Sequence, residues 1–295
     1  MTSPKVTLRR LRELADAGTP IVMVTAYDFV SGRVAERAGV DIVLVGDSGA
    51  QVVLGHPDTT SITLDEMLTL AKAVRRAVRT PLIVCDLPFG TTELSDAQAV
   101  ATSVRFVQEA GADAVKIEGA NPARLSRLRA IVEAGIPVVG HVGLTPQTAT
   151  ALGGLRAQGR TADDAIRVAR DALAVQEAGA FAVVIEAVPA DVVEEIRRAL
   201  RIPVVGIGAG TADGQVLVQH DLLGITEGRA PVFVKRYAAI GDAMVEAVEA
   251  YAREVREGAF PAAEHVYPAS AEVAAAVRDF IDGRGSTEGK SSTST

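Results

Sequence analysis

The chain has 295 residues, of which 48% are hydrophobic and 23% charged, and its formal net charge is −7. This composition supports a sizeable apolar core, and the absence of a basic run argues against nucleic acid and anionic membrane surfaces as partners. No apolar stretch approaches the roughly 20 residues of a membrane span, and no signal peptide is visible. The single cysteine, Cys85, cannot form an internal disulfide. We therefore expect a cytoplasmic protein.

Strand-like and helix-like segments alternate along the chain. Short runs rich in valine and isoleucine predict eight strands, at 21–27, 41–46, 81–86, 114–118, 137–142, 182–187, 203–207 and 221–225. Apolar residues at helical spacing predict helices at 31–38, 63–78, 95–110, 121–134, 162–178 and 190–200. The connection after the seventh strand is short, with 214–220 as its only helical candidate. An amphipathic helix over 237–256 follows the eighth strand.

Eight strands that alternate with helices predict an α/β fold, a (β/α)8 TIM barrel, as a single domain over residues 1–282. A doubly wound open sheet is the alternative, and it needs fewer strands or a change in strand order. Residues 5–17 resemble a helix that caps the bottom of the barrel. Residues 283–295 are rich in Gly, Ser and Thr, so we expect a disordered C-terminal tail there.

Four of the apolar runs end in a carboxylate, and this pattern indicates an enzyme. The four acids are Asp47, Asp86, Glu118 and Glu186. Because barrel active sites lie where the strands end, we expect these side chains to meet at one rim. Buried acids need a charged partner, and the short acids Asp47 and Asp86 are suited to Mg²⁺.

A lysine, a histidine and a serine lie close to these acids in the sequence. Lys116 is the only one of five lysines in the middle of an apolar run, and strand alternation places it on the same face as Glu118. It either neutralises the acids, binds a carboxylate or acts as a Schiff-base amine. We expect His141, in the fifth strand, to lie near the same rim. Ser48 is placed to donate a hydrogen bond to a ligand.

Nine short motifs follow one another along the chain. They are VTAYD (24–28), VGDS (45–48), DLPF (86–89), VKIEG (115–119), GHVGLTPQ (140–147), QGR (158–160), EAVP (186–189), GIGAG (206–210) and HDLLGI (220–225). Together they resemble the ketopantoate hydroxymethyltransferase family, from about residue 5 to about residue 268.

The resemblance implies a Mg²⁺-dependent barrel enzyme that is a homodecamer. It implies transfer of a hydroxymethyl group from 5,10-methylenetetrahydrofolate to 3-methyl-2-oxobutanoate through a Mg-stabilised enolate, giving 2-dehydropantoate in pantothenate biosynthesis. In this chain it implies a Mg²⁺ site at Asp47, Asp86 and Glu118, with Glu186 as the proton acceptor. The residues implied to contact the 2-oxo acid are Asp47, Ser48, Asp86 and Lys116, and we expect His141 to contact it as well.

Three segments depart from the usual family pattern, at 49–51, 61–63 and 155–157. They leave open a paralogue that acts on a different 2-oxo acid. A second alternative is a Mg²⁺-dependent carbon–carbon lyase of the phosphoenolpyruvate mutase and isocitrate lyase type. Those enzymes usually carry a cysteine in a lid loop, whereas Cys85 lies in a predicted strand. A metal-free aldolase with Lys116 as its Schiff base and a non-catalytic barrel are the remaining alternatives.

Overall fold

The computed structural model describes residues 4–228 and 230–288, with side chains described as far as residue 283. The chain divides into two compact units, one ending at Gly241 and one beginning at Asp242. The sequence predicted a single domain over 1–282.

The first unit contains a closed barrel of eight parallel strands in sequential order. The strands are β1 (Ile21–Thr25), β2 (Ile42–Val45), β3 (Leu82–Asp86), β4 (Ala114–Glu118), β5 (Val138–Gly143), β6 (Ala182–Glu186), β7 (Val204–Ile207) and β8 (Gly214–Leu217). The predicted (β/α)8 barrel is confirmed, and the open sheet is excluded because β1 pairs with both β2 and β8.

Nine α-helices precede, connect or follow these strands in the first unit, as far as the described residues extend. They are α1 (Leu8–Asp16), α2 (Phe29–Ala38), α3 (Gly49–Val52), α4 (Leu64–Ala77), α5 (Asp96–Ala110), α6 (Pro122–Glu133), α7 (Ala162–Glu177), α8 (Ala190–Ala199) and α9 (Gln219–Leu222). The six predicted helices between strands are confirmed within two residues at each end. Five of them begin where a side-chain oxygen accepts a backbone N–H of the first turn, at Asp28, Thr63, Ser95, Asn121 and Thr161.

The predicted position of the eighth strand is wrong. The strand lies at Gly214–Leu217, where a helix was the candidate, and the predicted strand 221–225 follows it and overlaps the short helix α9. Gly214 packs directly on β1, since a Cβ there would lie 2.6 Å from the carbonyl oxygen of Ile21. The side chain of Gln215 is exposed, so β8 lacks the continuous apolar run that identified the other strands.

The lower interior of the barrel is entirely apolar. Its side chains form one buried cluster: Ile21, Met23, Ile42, Leu44, Leu82, Val84, Ala114, Val139, Ala182, Val184, Val205 and Val216. Leu11 and Leu14 of α1 pack into the same cluster, which confirms the predicted capping helix. A second cluster fills the layer between the strands and the surrounding helices. Polar side chains are therefore left for the opposite end of the interior.

The second unit contains most of α10 (Ile240–Glu257) and all of α11 (Ala271–Glu288). The predicted helix over 237–256 is confirmed as α10. Six large apolar side chains of α10 are exposed, at Ile240, Met244, Val245, Val248, Tyr251 and Val255. Disorder was predicted from residue 283, but α11 continues through 288, and residues 289–295 lie outside the described residues. Within the described ranges, no helix has both the length and the apolarity to cross a membrane.

Candidate active site

The register of the barrel places the predicted site residues side by side at the carboxyl ends of the strands. Asp86 is paired with Lys116 across β3 and β4, and Glu118 with His141 across β4 and β5. The neighbouring strand β6 ends at Glu186. Because alternate residues of a strand point to the same side, each of these polar residues lies above the apolar layer of its own strand.

Lys116 is the central cation of the site. Its Nζ lies 2.9 Å from Oδ1 of Asp86, and both side chains are 4% exposed. The backbone N–H of Asp47 donates to the other carboxylate oxygen of Asp86, at 3.0 Å. Lys116 and the end of β2 are thus joined through one aspartate.

The charges around Lys116 decide its protonation state. Burial opposes its charge, but Asp86, Glu118 and Asp47 outweigh burial and raise the pKa of Lys116 above its ordinary value. Burial and then the charge of Asp86 raise the pKa of Asp47 well above its usual range. A fully protonated amine is a poor nucleophile, so this geometry favours carboxylate binding by Lys116 over a Schiff base.

His141 connects two glutamates across the barrel. Its Nδ1 lies 3.3 Å from Oε1 of Glu118, and its Nε2 lies 3.1 Å from Oε2 of Glu186. Burial and the charge of Lys116 lower the pKa of His141, but its close contacts with the two glutamates and the charge of Glu118 outweigh both and raise it to about 9. Lys116 Nζ is also 3.2 Å from Nδ1. A protonated ring donates at both nitrogens, so we assign Nδ1–H to Glu118.

Gln147 closes these contacts into a ring, and sequence reasoning missed it. Its side-chain Nε2 donates to Oδ2 of Asp47 at 2.8 Å, and its backbone N–H donates to Oε2 of Glu118 at 3.0 Å. The only signal in the sequence was its place at the end of the motif 140–147. The complete ring consists of Asp47, Asp86, Lys116, His141, Glu118 and Gln147.

Ser48 lies at the edge of this ring, next to Asp47 in the chain. Its Oγ is 2.8 Å from the phenol oxygen of Tyr27, which is completely buried. Burial raises the pKa of Tyr27 above its ordinary value, so the phenol keeps its proton as a donor. Tyr27 is the second contact residue that sequence reasoning did not single out, although it lies in the motif 24–28.

Two carboxylates with like charge, Asp47 and Asp86, adjoin one another at the ends of β2 and β3. Lys116 lies beside Asp86, but burial and the charge of Asp86 still raise the pKa of Asp47, so negative charge remains crowded there. One or two carboxylates completed by water and substrate oxygens are what Mg²⁺ usually takes. Within the described ranges, no three or more His, Cys, Asp or Glu side chains form a ready metal cluster. Glu118 is instead bound to His141 and Gln147. The chain therefore fits a two-carboxylate Mg²⁺ site with Glu118 close by.

Residues 5–263 match the model of a protein family described as ketopantoate hydroxymethyltransferase. The chain belongs to this family. It is an enzyme of the hydroxymethyltransferase type, and the resemblance found in the motifs is confirmed.

Close relatives support the same assignment. A 3-methyl-2-oxobutanoate hydroxymethyltransferase of Moorella thermoacetica is 51% identical over 264 residues, covering 89% of this chain and 98% of the relative. One of Corynebacterium efficiens is 52% identical over 258 residues, covering 87% of this chain and 95% of the relative.

Solved structures of other enzymes share the fold. A phosphonopyruvate hydrolase superposes with a TM-score of 0.60 at 16% identity, covering 99% of this chain and 100% of that chain. An oxaloacetate acetylhydrolase superposes with a TM-score of 0.59 at 15% identity, covering 98% of this chain and 99% of that chain. At these identities the likeness shows the barrel fold alone.

Proposed function

We propose that this protein transfers a hydroxymethyl group from 5,10-methylenetetrahydrofolate to 3-methyl-2-oxobutanoate, giving 2-dehydropantoate in pantothenate biosynthesis. The observation that carries the proposal is that one cluster at the barrel rim holds both a lysine–aspartate pair, Lys116 and Asp86 at 2.9 Å, and a carboxylate base, Glu186, with Oε2 3.1 Å from Nε2 of His141. Relatives at 51% and 52% identity bear the name of this activity.

The substrate of this reaction is a 2-oxo acid, whose carboxylate and ketone oxygens must be bound. Asp47 and Asp86 would hold Mg²⁺ beside the substrate, with Glu118 near it. When bound, Mg²⁺ withdraws electron density from the ketone and makes removal of the C3 proton easier. Lys116 supplies a fixed positive charge that attracts the carboxylate of the substrate, and Ser48 donates a hydrogen bond to the substrate.

Glu186 is the residue that removes the C3 proton. Its side chain is 15% exposed, so it is close to a desolvated state and yet reachable from the barrel mouth. His141 holds one carboxylate oxygen, Oε2, which leaves Oε1 to accept the proton. The imidazole fixes the orientation of the base, and orientation is a large part of general-base catalysis. One water molecule supplies the hydroxyl oxygen: it adds to the methylene carbon of the folate, both carbon–nitrogen bonds break, and tetrahydrofolate leaves with formaldehyde released in the site. The C3 carbanion then attacks the formaldehyde carbon, and the resulting alkoxide takes a proton to give the hydroxymethyl group.

The test is deuterium exchange at C3 of 3-methyl-2-oxobutanoate in D₂O, with and without Mg²⁺ and without folate. We expect exchange that requires Mg²⁺, and 2-dehydropantoate formation only after 5,10-methylenetetrahydrofolate is added. Related 2-oxo acids are run beside it, because a faster exchange with one of them indicates the paralogue. Carbon–carbon cleavage without folate would establish the lyase instead.

The assembly is proposed to be a homo-oligomer, and by family resemblance a decamer. The exposed apolar residues of α10 recur at helical spacing and share one face, and such a face is typical of a protein–protein contact. Analytical ultracentrifugation of the full chain tests this, and a sedimenting monomer would contradict it. We further propose a cytoplasmic location, on the basis of the single buried thiol of Cys85.

A further inference from the structure

We propose that Gln147 is a positioning residue that presents the Asp47 carboxylate to the divalent cation. This inference deepens the proposed function and rests on it, since it assigns the residue that prepares the cation site. Gln147 is 8% exposed and lies in a short 3₁₀ turn, Pro146–Thr148, beyond the end of β5.

The orientation of the Gln147 amide is fixed by its neighbours. Its Nε2 lies 2.8 Å from Oδ2 of Asp47 and 3.0 Å from the carbonyl oxygen of Leu87. The carbonyl of Leu87 can only accept a hydrogen bond, so the amide nitrogen of Gln147, and not its oxygen, must face this side. One amide hydrogen is therefore donated to Asp47, which lies beyond β2, and the other to the carbonyl oxygen of Leu87, which follows Asp86.

A single residue thus links the ends of three neighbouring strands. The backbone N–H of Gln147 adds a bond to Glu118 at the end of β4. The connection from β5 can reach these strands because the chain turns sharply at Gly143, where φ is 89°. A Cβ at that position would lie 2.4 Å from the carbonyl oxygen of Glu186, so only glycine permits this turn beside the base.

The Gln147 hydrogen bond to Oδ2 fixes the orientation of the Asp47 carboxylate. The carboxylate cannot rotate without breaking this buried hydrogen bond, so its oxygens would be presented to the cation in one orientation. Residues that orient metal ligands in this way typically change metal affinity by ~10–100-fold when they are replaced. Gln147 makes no contact with Glu186 or His141 among the bonds of its side chain, so the proton-transfer pair is separate from this effect.

The test replaces Gln147 by methionine, which has similar length but no donor, and measures Mg²⁺ and Mn²⁺ affinity by calorimetry without substrate. The control is Gln158→Met in the same connection, because Gln158 is also buried but bonds to Arg156 and Arg167 instead of the site carboxylates. We expect the cation Kd to rise ~10–100-fold for Gln147→Met and to stay at the wild-type value for Gln158→Met. At saturating Mg²⁺ the exchange rate should recover, because Glu186 is untouched.

A folded Gln147→Met protein that binds cations with wild-type affinity would overturn the proposal. So would an equal loss in both variants, since that would show general damage to the connection. If the wild-type protein itself binds no divalent cation, the proposed function fails. Crystal structures of the metal-free wild-type and Gln147→Met proteins then test whether Gln147 orients Asp47. A changed Asp47 side-chain orientation in Gln147→Met supports the positioning role, and an unchanged one refutes it.

Discussion

The two ends of the barrel each contain a lysine–aspartate pair, and the pairs differ in burial. Lys5 Nζ lies 2.6 Å from Asp113 near the amino ends of the strands, where the side chains are 33% and 27% exposed. Lys116 lies 2.9 Å from Asp86 at the carboxyl ends, where both are 4% exposed. The outer pair lies at the end of the barrel whose interior is apolar, and the inner pair lies among four further ionisable groups.

This difference shows that stability and chemistry are separated along the same strands. A partly exposed ion pair costs little to desolvate and contributes little. A fully buried pair costs several kcal/mol of desolvation per ion, so an apolar pair of similar volume would be at least as stable. The Lys116–Asp86 pair therefore reduces the stability that this end of the barrel could have, which supports the binding role proposed for it.

The largest expected effect at the catalytic end comes from Glu186→Gln. The amide keeps the shape of the side chain but cannot accept the C3 proton, so exchange in D₂O should fall by ~10²–10⁴-fold. Affinity for Mg²⁺ should remain at the wild-type value, because Glu186 bonds to His141 and not to Asp47 or Asp86. NMR loss of the C3 proton signal measures the rate, and calorimetry measures the affinity.

The matched control is Glu177→Gln, an exposed glutamate at the last residue of α7. It should exchange the substrate proton like the wild type. Full exchange by the Glu186→Gln protein would remove Glu186 from the mechanism.

The second-largest effect is expected when Lys116 is replaced, and Lys5 serves as the direct comparison. Lys116→Met leaves Asp86 buried without its cation, and breaking a buried pair typically costs ~3–5 kcal/mol of unfolding free energy. Mg²⁺ restores a positive charge there, so it should stabilise Lys116→Met more than it stabilises the wild type. Urea denaturation with and without Mg²⁺ measures both quantities.

Lys5→Met is the control at the opposite end. Its loss should be at most ~1 kcal/mol, as for exposed pairs, and independent of Mg²⁺. A Mg²⁺-dependent loss in Lys5→Met, or a Mg²⁺-independent one in Lys116→Met, would show that the two ends are not separate.

Much of the fold could be predicted because buried parallel strands are continuous apolar runs. Seven strands follow from that pattern, and the six helices between them follow from apolar residues at helical spacing. The eighth strand could not be located this way, because Gly214 and the exposed Gln215 are fixed by close approach to β1 and not by hydrophobicity. Such close packing is a tertiary property that a local pattern does not contain.

The charged residues of the site could be predicted for the same reason, since an acid at the end of an apolar strand is conspicuous. Gln147 and Tyr27 were not found, because they carry no charge and their use depends on which atoms lie opposite them in space. Tyr27 is indistinguishable in sequence from an ordinary core aromatic, and only its 2.8 Å contact with Ser48 reveals its role. Neutral residues that orient charged ones are therefore the part of a site that can be identified only from a three-dimensional structure.

The smallest expected effect on the chemistry comes from Leu82→Ala, on the same strand and the same face as Asp86. Leu82 is 4% exposed in the lower apolar cluster, and truncating a buried leucine typically costs ~2–5 kcal/mol through lost burial and the cavity left behind. Four residues of β3, or roughly 13 Å, separate it from Asp86. Sites that far apart usually add within about 0.5 kcal/mol, so the Leu82→Ala and Lys116→Met losses should sum in the double variant. If folded Leu82→Ala binds Mg²⁺ with wild-type affinity, the apolar layer stabilises the fold without affecting the cation site. If the two losses do not sum in the double variant, the apolar layer also helps to position the charged residues of the site.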